Sequence, residues 1–169
     1  IKAIEYYLPK NIYTNIDLQK DFPEWTVEKV TSKIGIEERH IADKNETSSD
    51  MAVNAAEILF SKNPELREKI DFIIFCTQSP DYKLPTTACI IQNRLGLKTL
   101  CGAYDMNLGC SGYIYGLFTA TAYIKSKMAN NVLLLTGETY SKYIYEKDKG
   151  NVDYTSNSAI NSSEISKFE

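Results

Sequence analysis

The chain has 169 residues, with 19 Lys and Arg against 22 Asp and Glu, for a formal net charge of −3. Its 43% hydrophobic and 24% charged residues suit a globular domain with a sizeable core, and they exclude a disordered or fibrous chain. The mild acidity argues against a nucleic-acid partner, no apolar run approaches the roughly 20 residues that span a bilayer, and no secretory signal opens the chain.

Residues 2–7 (KAIEYY) read as a short strand that Leu8 and Pro9 end. Asn15, Ile16 and Asp17 open a short helical piece. Thr26 to Lys33 is the next helix, with Val27, Val30 and Ile34 on one side, and Gly35 breaks it. A charged segment follows, Glu37 to His40. Thr47 and Asp50 have the spacing of a capping box, in which each side chain satisfies the other's backbone N–H. Met51, Ala55, Ile58 and Leu59 then repeat at helical spacing to about Phe60.

Residues 71–76 (DFIIFC) form a continuous apolar run of strand length, as expected of a strand buried on both faces of a parallel sheet. Pro85 suits the first turn of a helix and Gly96 the stop after Leu95. Residues 102–107 are a further strand, 111–126 a helix and 131–136 another buried strand. This alternation predicts an α/β fold: a mixed, mostly parallel sheet with helices on both faces. Near residue 150 the composition shifts, and 151–169 reads as an Asn- and Ser-rich tail.

Cysteines stand at 76, 89, 101 and 110, spacings that match no zinc pattern, and His40 is the one histidine. No metal site is expected. Cys76 and Cys89 lie in apolar stretches and read as buried thiols. Such usage suits a reducing, cytoplasmic setting. Twelve tyrosines outnumber six Phe and one Trp. Tyr140, Tyr143 and Tyr145 cluster as either a contact surface or part of a groove.

The most informative stretch is 104–120 (YDMNLGCSGYIYGLFTA). A strand ends near Asn107, a tight corner follows at Gly109 and Cys110, and a helix starts at Ser111. A thiol there faces the first-turn N–H groups, whose partial positive charge favours a thiolate. The same N–H groups could receive the oxyanion formed when sulfur attacks a carbonyl. Gly112, Gly116 and Ala120 make a stripe without bulk, and the rest of the helix is apolar, as in a buried core helix. On these residues alone, Cys110 is equally a nucleophile or a structural thiol.

With these motifs the chain resembles the N-terminal half of a β-ketoacyl-acyl-carrier-protein synthase III, of the thiolase-like superfamily, over residues 1–150. The matching pieces are Leu8 and Pro9 with Asn15 and Leu18, residues 35–41 (GIEERHI), 46–52 (ETSSDMA), 77–81 (TQSPD), 85–92 (PTTACIIQ) with 95–97 (LGL), and Asp105 through Gly116. The resemblance implies that Cys110 takes an acyl group from acyl-CoA as a thioester. The acyl group then condenses with malonyl-acyl carrier protein, losing carbon dioxide and giving a β-ketoacyl product. Acyl-CoA enters as a substrate, and no resident cofactor is implied.

The resemblance also assigns substrate-binding positions. Trp25 would stack on the adenine of CoA or else plug a surface groove, and it stands ten residues before Gly35, farther than in the family. Lys33, where the family has Arg, and Lys149 would contact phosphates or remain solvated. Leu84 would point across a homodimer into the partner's acyl pocket, where many relatives carry Phe, and so admit starters longer than acetyl. Family members are about twice as long and take a catalytic His and Asn from their second half. His40 lies in a segment that they do not use for chemistry. The chain is therefore expected to be one half, inactive alone, with two other readings: a non-catalytic dimerising remnant, or another Cys-dependent acyl-CoA transferase or synthase.

Overall fold

The computed structural model describes residues 1–142 of the chain. Two sheets organise it. A small antiparallel ribbon pairs β1 (Asn11–Thr14) with β2 (Glu38–Ile41), and helices α1 (Asn15–Asp21) and α2 (Val27–Ile34) lie between them in sequence. The main sheet is parallel, with β3 (Phe72–Cys76) between β4 (Gly102–Met106) and β5 (Val132–Thr136). Helices α3 (Ser48–Lys62) and α4 (Pro64–Arg67) precede β3, α5 (Thr87–Arg94) joins β3 to β4, and α6 (Gly112–Lys125) joins β4 to β5.

Local chemistry explains most of these boundaries. Thr47 and Asp50 form the expected capping box: Thr47 N–H donates to Asp50 Oδ2 at 2.8 Å and Asp50 N–H to Thr47 Oγ1 at 3.2 Å. Thr14 and Asp17 form a second one at α1. Gly35 ends α2 with φ +71°, and Gly96, just after α5, has φ +62°. Both angles lie in the left-handed region that glycine enters without steric cost. Pro85 does not sit in the first turn of α5, because Thr86 is the N-cap and the helix begins at Thr87.

The expected strand at 2–7 does not form. Ala3, Glu5 and Tyr7 are half-buried, whereas Ile4 and Tyr6 are exposed, so the period of two is present. Ala3 packs on the core, and Glu5 pairs with Lys62 Nζ at 2.7 Å. The segment has no ladder partner among the described residues, and a strand needs one. The charged segment before Ala42 is the strand instead, as β2.

Strand order β4–β3–β5 sends the chain from β3 outward to β4, then back across β3 to β5. Right-handed crossovers in opposite directions place their helices on opposite faces. Accordingly α5, with α3 against it, packs on β3 and β4, while α6 packs on β3 and β5. On the α3/α5 face, Ile73, Phe75, Leu133 and Leu135 meet Ala52, Ala56, Phe60, Ala88 and Ile91 in one buried cluster.

The α6 face is closed more thinly. Phe72 stacks edge-on with Tyr104 and Tyr123, at ring separations of 5.8 and 4.8 Å. A Cβ added to Gly112 would come 2.3 Å from Cys76 Sγ, and one on Gly116 2.6 Å from Leu134 Cδ1. The bulk-free stripe therefore permits the close approach that the sequence suggested. The helix is buried along that stripe only, since Tyr113, Ile114, Tyr115, Phe118 and Ile124 are exposed, Phe118 by 68%. The expectation of a core helix is corrected to this extent, because no second layer lies over α6 among the described residues.

No helix among the described residues is long and apolar enough to cross a membrane. No group of three or more His, Cys, Asp or Glu there could hold a metal ion.

Candidate active site

In an open parallel sheet, ligands bind beyond the carboxyl ends of the strands, where adjacent connections leave to opposite faces. Here that crevice lies between the ends of β3 and β4. The loop from Thr77 to Thr86 flanks one side, and the corner from Asn107 to Ser111 flanks the other. Cys110 stands in this corner, exposed, one residue before the N-cap Ser111.

The corner is built by backbone bonds. Leu108 N–H donates to Met106 O at 3.0 Å and Gly112 N–H to Gly109 O at 2.8 Å, while Ser111 O accepts from Ile114 and Tyr115 N–H at 3.1 Å each. No side chain caps α6 and no acidic residue stands in its first turn, so the positive end of the helix is not neutralised by its own residues. Beneath the corner, Cys76 Sγ donates to Leu108 O at 3.5 Å. Burial pushes the Cys76 thiol up, so the lower sulfur is the inert one. Cys101 is likewise buried and raised to about 11, chiefly by burial. Cys89 is half-buried rather than the buried thiol expected.

Asp105 ties the two sides of the crevice together. Its carboxylate accepts from Thr87 N–H at 2.8 Å and Ala88 N–H at 2.7 Å, and Thr86 Oγ1 accepts from its own N–H at 3.0 Å. The carboxylate on β4 thus caps α5, a role Thr86 does not fill. Across the loop, Asp81 accepts from Ser48 Oγ at 3.0 Å, Ser49 N–H at 3.2 Å and Ser49 Oγ, all at the start of α3. Arg94 completes this tie, reaching Ser49 Oγ at 2.8 Å and Asp50 Oδ1 at 2.7 Å. Between these anchors Leu84 projects from the loop, 75% exposed.

The structure therefore brings Cys110 and the Leu84 loop to one edge of the main sheet. Trp25 and Lys33 belong to α2 and the loop before it. Trp25 is 40% exposed, with Lys29 Nζ 4.7 Å from its ring centroid, and Lys33 is an exposed residue in the last turn of α2. Lys149, Tyr143, Tyr145 and the tail 151–169 lie outside the described residues. His40 is structural: its Nδ1 lies 2.6 Å from Pro9 O and its Nε2 3.8 Å from Glu38 Oε1, binding the N-terminal segment to β2. Gln78 enters the sequence reading only as part of the matching piece 77–81, with no role, and Glu138 does not enter it. The side chain of Gln78 occupies the space a Cβ on Gly109 would need, and Glu138 accepts from the Gln78 backbone. The available signals were the obligatory Gly109 and an acidic residue directly after the Gly137 that ends a buried strand.

Fold and corner together define an α/β protein of the thiolase-like class, with a cysteine at the start of the helix that crosses the parallel sheet. A family model described as 3-oxoacyl-[acyl-carrier-protein] synthase III matches residues 104–157, running past residue 150. The β-ketoacyl-[acyl-carrier-protein] synthase III of Caldanaerobacter subterraneus subsp. tengcongensis is 41% identical over 143 residues, covering 85% of this chain and 43% of that protein. A crystal structure of a 3-oxoacyl-(acyl-carrier-protein) synthase III superposes with a TM-score of 0.80 at 48% identity, over 84% of this chain and 42% of that one. The synthase III of Thermus thermophilus gives 0.77 at 36% identity, over 84% and 43%. Over about 85% of its length the chain matches the N-terminal half of β-ketoacyl-[acyl-carrier-protein] synthase III proteins. It spans less than half the length of these relatives.

Proposed function

We propose that this chain is the nucleophile-bearing half of an acyltransferase of fatty-acid biosynthesis, with Cys110 as the acyl acceptor. The single observation that carries the reading is the exposed Cys110 at the uncapped start of α6, beside the crevice of the parallel sheet. The thiolate attacks the thioester carbonyl of an acyl-CoA, and the carbonyl oxygen takes up negative charge near the first-turn N–H groups. The tetrahedral adduct then collapses, CoA leaves as its thiolate and takes a proton, and the acyl group stays on sulfur. The acyl-enzyme next condenses with malonyl-acyl carrier protein. Loss of carbon dioxide supplies the carbanion, its attack on the acyl carbonyl forms the new carbon–carbon bond, and Cys110 sulfur is the leaving group.

In this reading Trp25 stacks on adenine, Lys33 and Lys149 meet phosphates, and Leu84 contacts the acyl chain of a homodimer partner. The assembly works in the cytoplasm. The nucleophile-bearing unit runs to about residue 150, with the segment after it as a tail. Residues that polarise the malonyl thioester come from the complementary half. The second reading, a dimerising remnant without turnover, is favoured by the uncovered apolar surface of α6 around Phe118.

The test is to incubate the chain with acetyl-CoA and malonyl-acyl carrier protein. Intact mass should show slow acetylation that is lost in Cys110→Ala, with no acetoacetyl product. No acetylation, or acetylation that survives Cys110→Ala, overturns the acyl-acceptor role. Product that depends on Cys110 shows instead that this half suffices.

A further inference from the structure

We propose that Glu138 is a positioning residue for the Cys110 corner, acting through Gln78 and making no contact with the reacting atoms. The proposal rests on the reading of Cys110 as the acyl acceptor. Glu138 follows β5, on the far side of β3 from the corner. Its Oε1 accepts from Gln78 N–H at 2.7 Å and its Oε2 from Ser79 Oγ at 2.9 Å. Ser79 is buried and held from three further sides. Its Oγ accepts from Thr139 N–H at 2.8 Å, its N–H donates to Thr77 Oγ1 at 3.0 Å, and its carbonyl accepts from Ser48 Oγ at 2.6 Å. One carboxylate thus locks the ends of β3 and β5 together and sets where Gln78 leaves the sheet.

Gln78 then reaches the corner. A Cβ on Gly109 would come 2.6 Å from Gln78 Oε1, 2.9 Å from its Cδ and 3.1 Å from its Nε2. The carboxamide therefore packs against the residue directly before Cys110. Gly109 has no positive φ, so this close approach, and not backbone conformation, is what requires glycine there. Cys76 supports the corner from below and Gln78 from the side, and both leave the end of β3. A thiolate gains from the first-turn N–H groups only while its sulfur is held over them, since the effect fades within one turn.

The experiment measures Cys110 alkylation by iodoacetamide at one pH, by peptide mapping, in the wild-type chain, Glu138→Gln, Gln78→Ala and the double variant. Glu138→Gln keeps the size but loses one of two acceptors. It should slow Cys110 by about threefold, the scale of a first-turn dipole effect. Loss of a negative charge alone would do the opposite and speed the reaction. Gln78→Ala should slow it equally, and the double variant no further. An unchanged or faster Glu138→Gln, or a double variant slowed by the product of the two single effects, overturns the proposal. Should Glu138→Gln fail to fold, Gly109→Ala displaces the same carboxamide. Gly109→Ala and Gln78→Ala must then each slow Cys110, and a normal rate in either overturns the proposal. Acetyl-CoA that leaves Cys110 unmodified while alkylation still responds to Glu138→Gln refutes the acyl-transfer reading and leaves the positioning role intact.

Discussion

The two faces of the main sheet are both apolar but are finished differently. On the α3/α5 face the strand side chains meet two helices, and Ile73, Phe75, Ala88 and Ile91 lose all exposure. On the α6 face one helix lies close on glycine, and its outer side chains remain in contact with solvent. The first face is the self-sufficient core of the chain. The second carries the Cys110 corner and leaves a surface suited to another layer, because large apolar patches are rarely left uncovered on a monomer.

The contrast is broken most directly by truncating a phenylalanine on each side. Phe75→Ala should destabilise by about 3–5 kcal/mol, the usual cost of a buried Phe→Ala. Phe118→Ala should change stability by no more than about 0.5 kcal/mol, as for a surface substitution. Urea denaturation of both variants measures this, and equal losses would mean that the outer side of α6 is as well buried as the α3/α5 face. The next effect is at the crevice. Asp105→Ala leaves Thr87 and Ala88, both fully buried, without their N–H acceptor, at a cost of about 2 kcal/mol in the same assay.

Gly116→Ala tests the thin packing of the other face. Its Cβ would come 2.6 Å from Leu134 Cδ1, so α6 or Leu134 must shift. Overpacking costs about 1–3 kcal/mol and the gain in helix propensity returns about 1, so a net loss of about 1 kcal/mol is expected. A stabilised variant would show α6 to be loosely seated.

The smallest effect is a pH dependence at the same face. Burial, followed by the hydrogen bond with Tyr123, raises Tyr104 from 10.0 to about 12. The neutral phenol is favoured in the folded state. Its contribution is therefore complete below pH 10 and is lost as the pH rises through about 12. Spectrophotometric titration should show a late phenol that is absent in Tyr104→Phe. If all tyrosines titrate near 10, the aromatic closure under α6 is open to water.

The comparison also bears on reactivity. Cys76 and Cys101 are buried and raised, whereas Cys110 is exposed on a corner held by neighbours from both β3 and β5. The exposed thiol is thus on the less finished face, supported by residues that belong to the finished sheet.

The amino-acid sequence by itself determined the elements whose causes are local. The apolar run at β3, the capping box at Thr47, the glycine after α2 and the Gly109–Cys110 corner were all legible, because each depends on side-chain period, a reciprocal hydrogen bond or backbone freedom within a few residues. Tertiary structure decided what depends on distant neighbours. Residues 2–7 have the period of a strand but no ladder partner, and the charged segment at β2 becomes a strand because β1 supplies one. The apolar helix α6 is buried only along glycine, since periodicity reports which faces could be covered and not which layers are present. Asp105, Gln78 and Glu138 were beyond local reading for the same reason: Asp105 meets α5 from β4, and Glu138 meets Gln78 across 60 residues of chain. Only the strand order β4–β3–β5 brings those groups to the same end of one sheet.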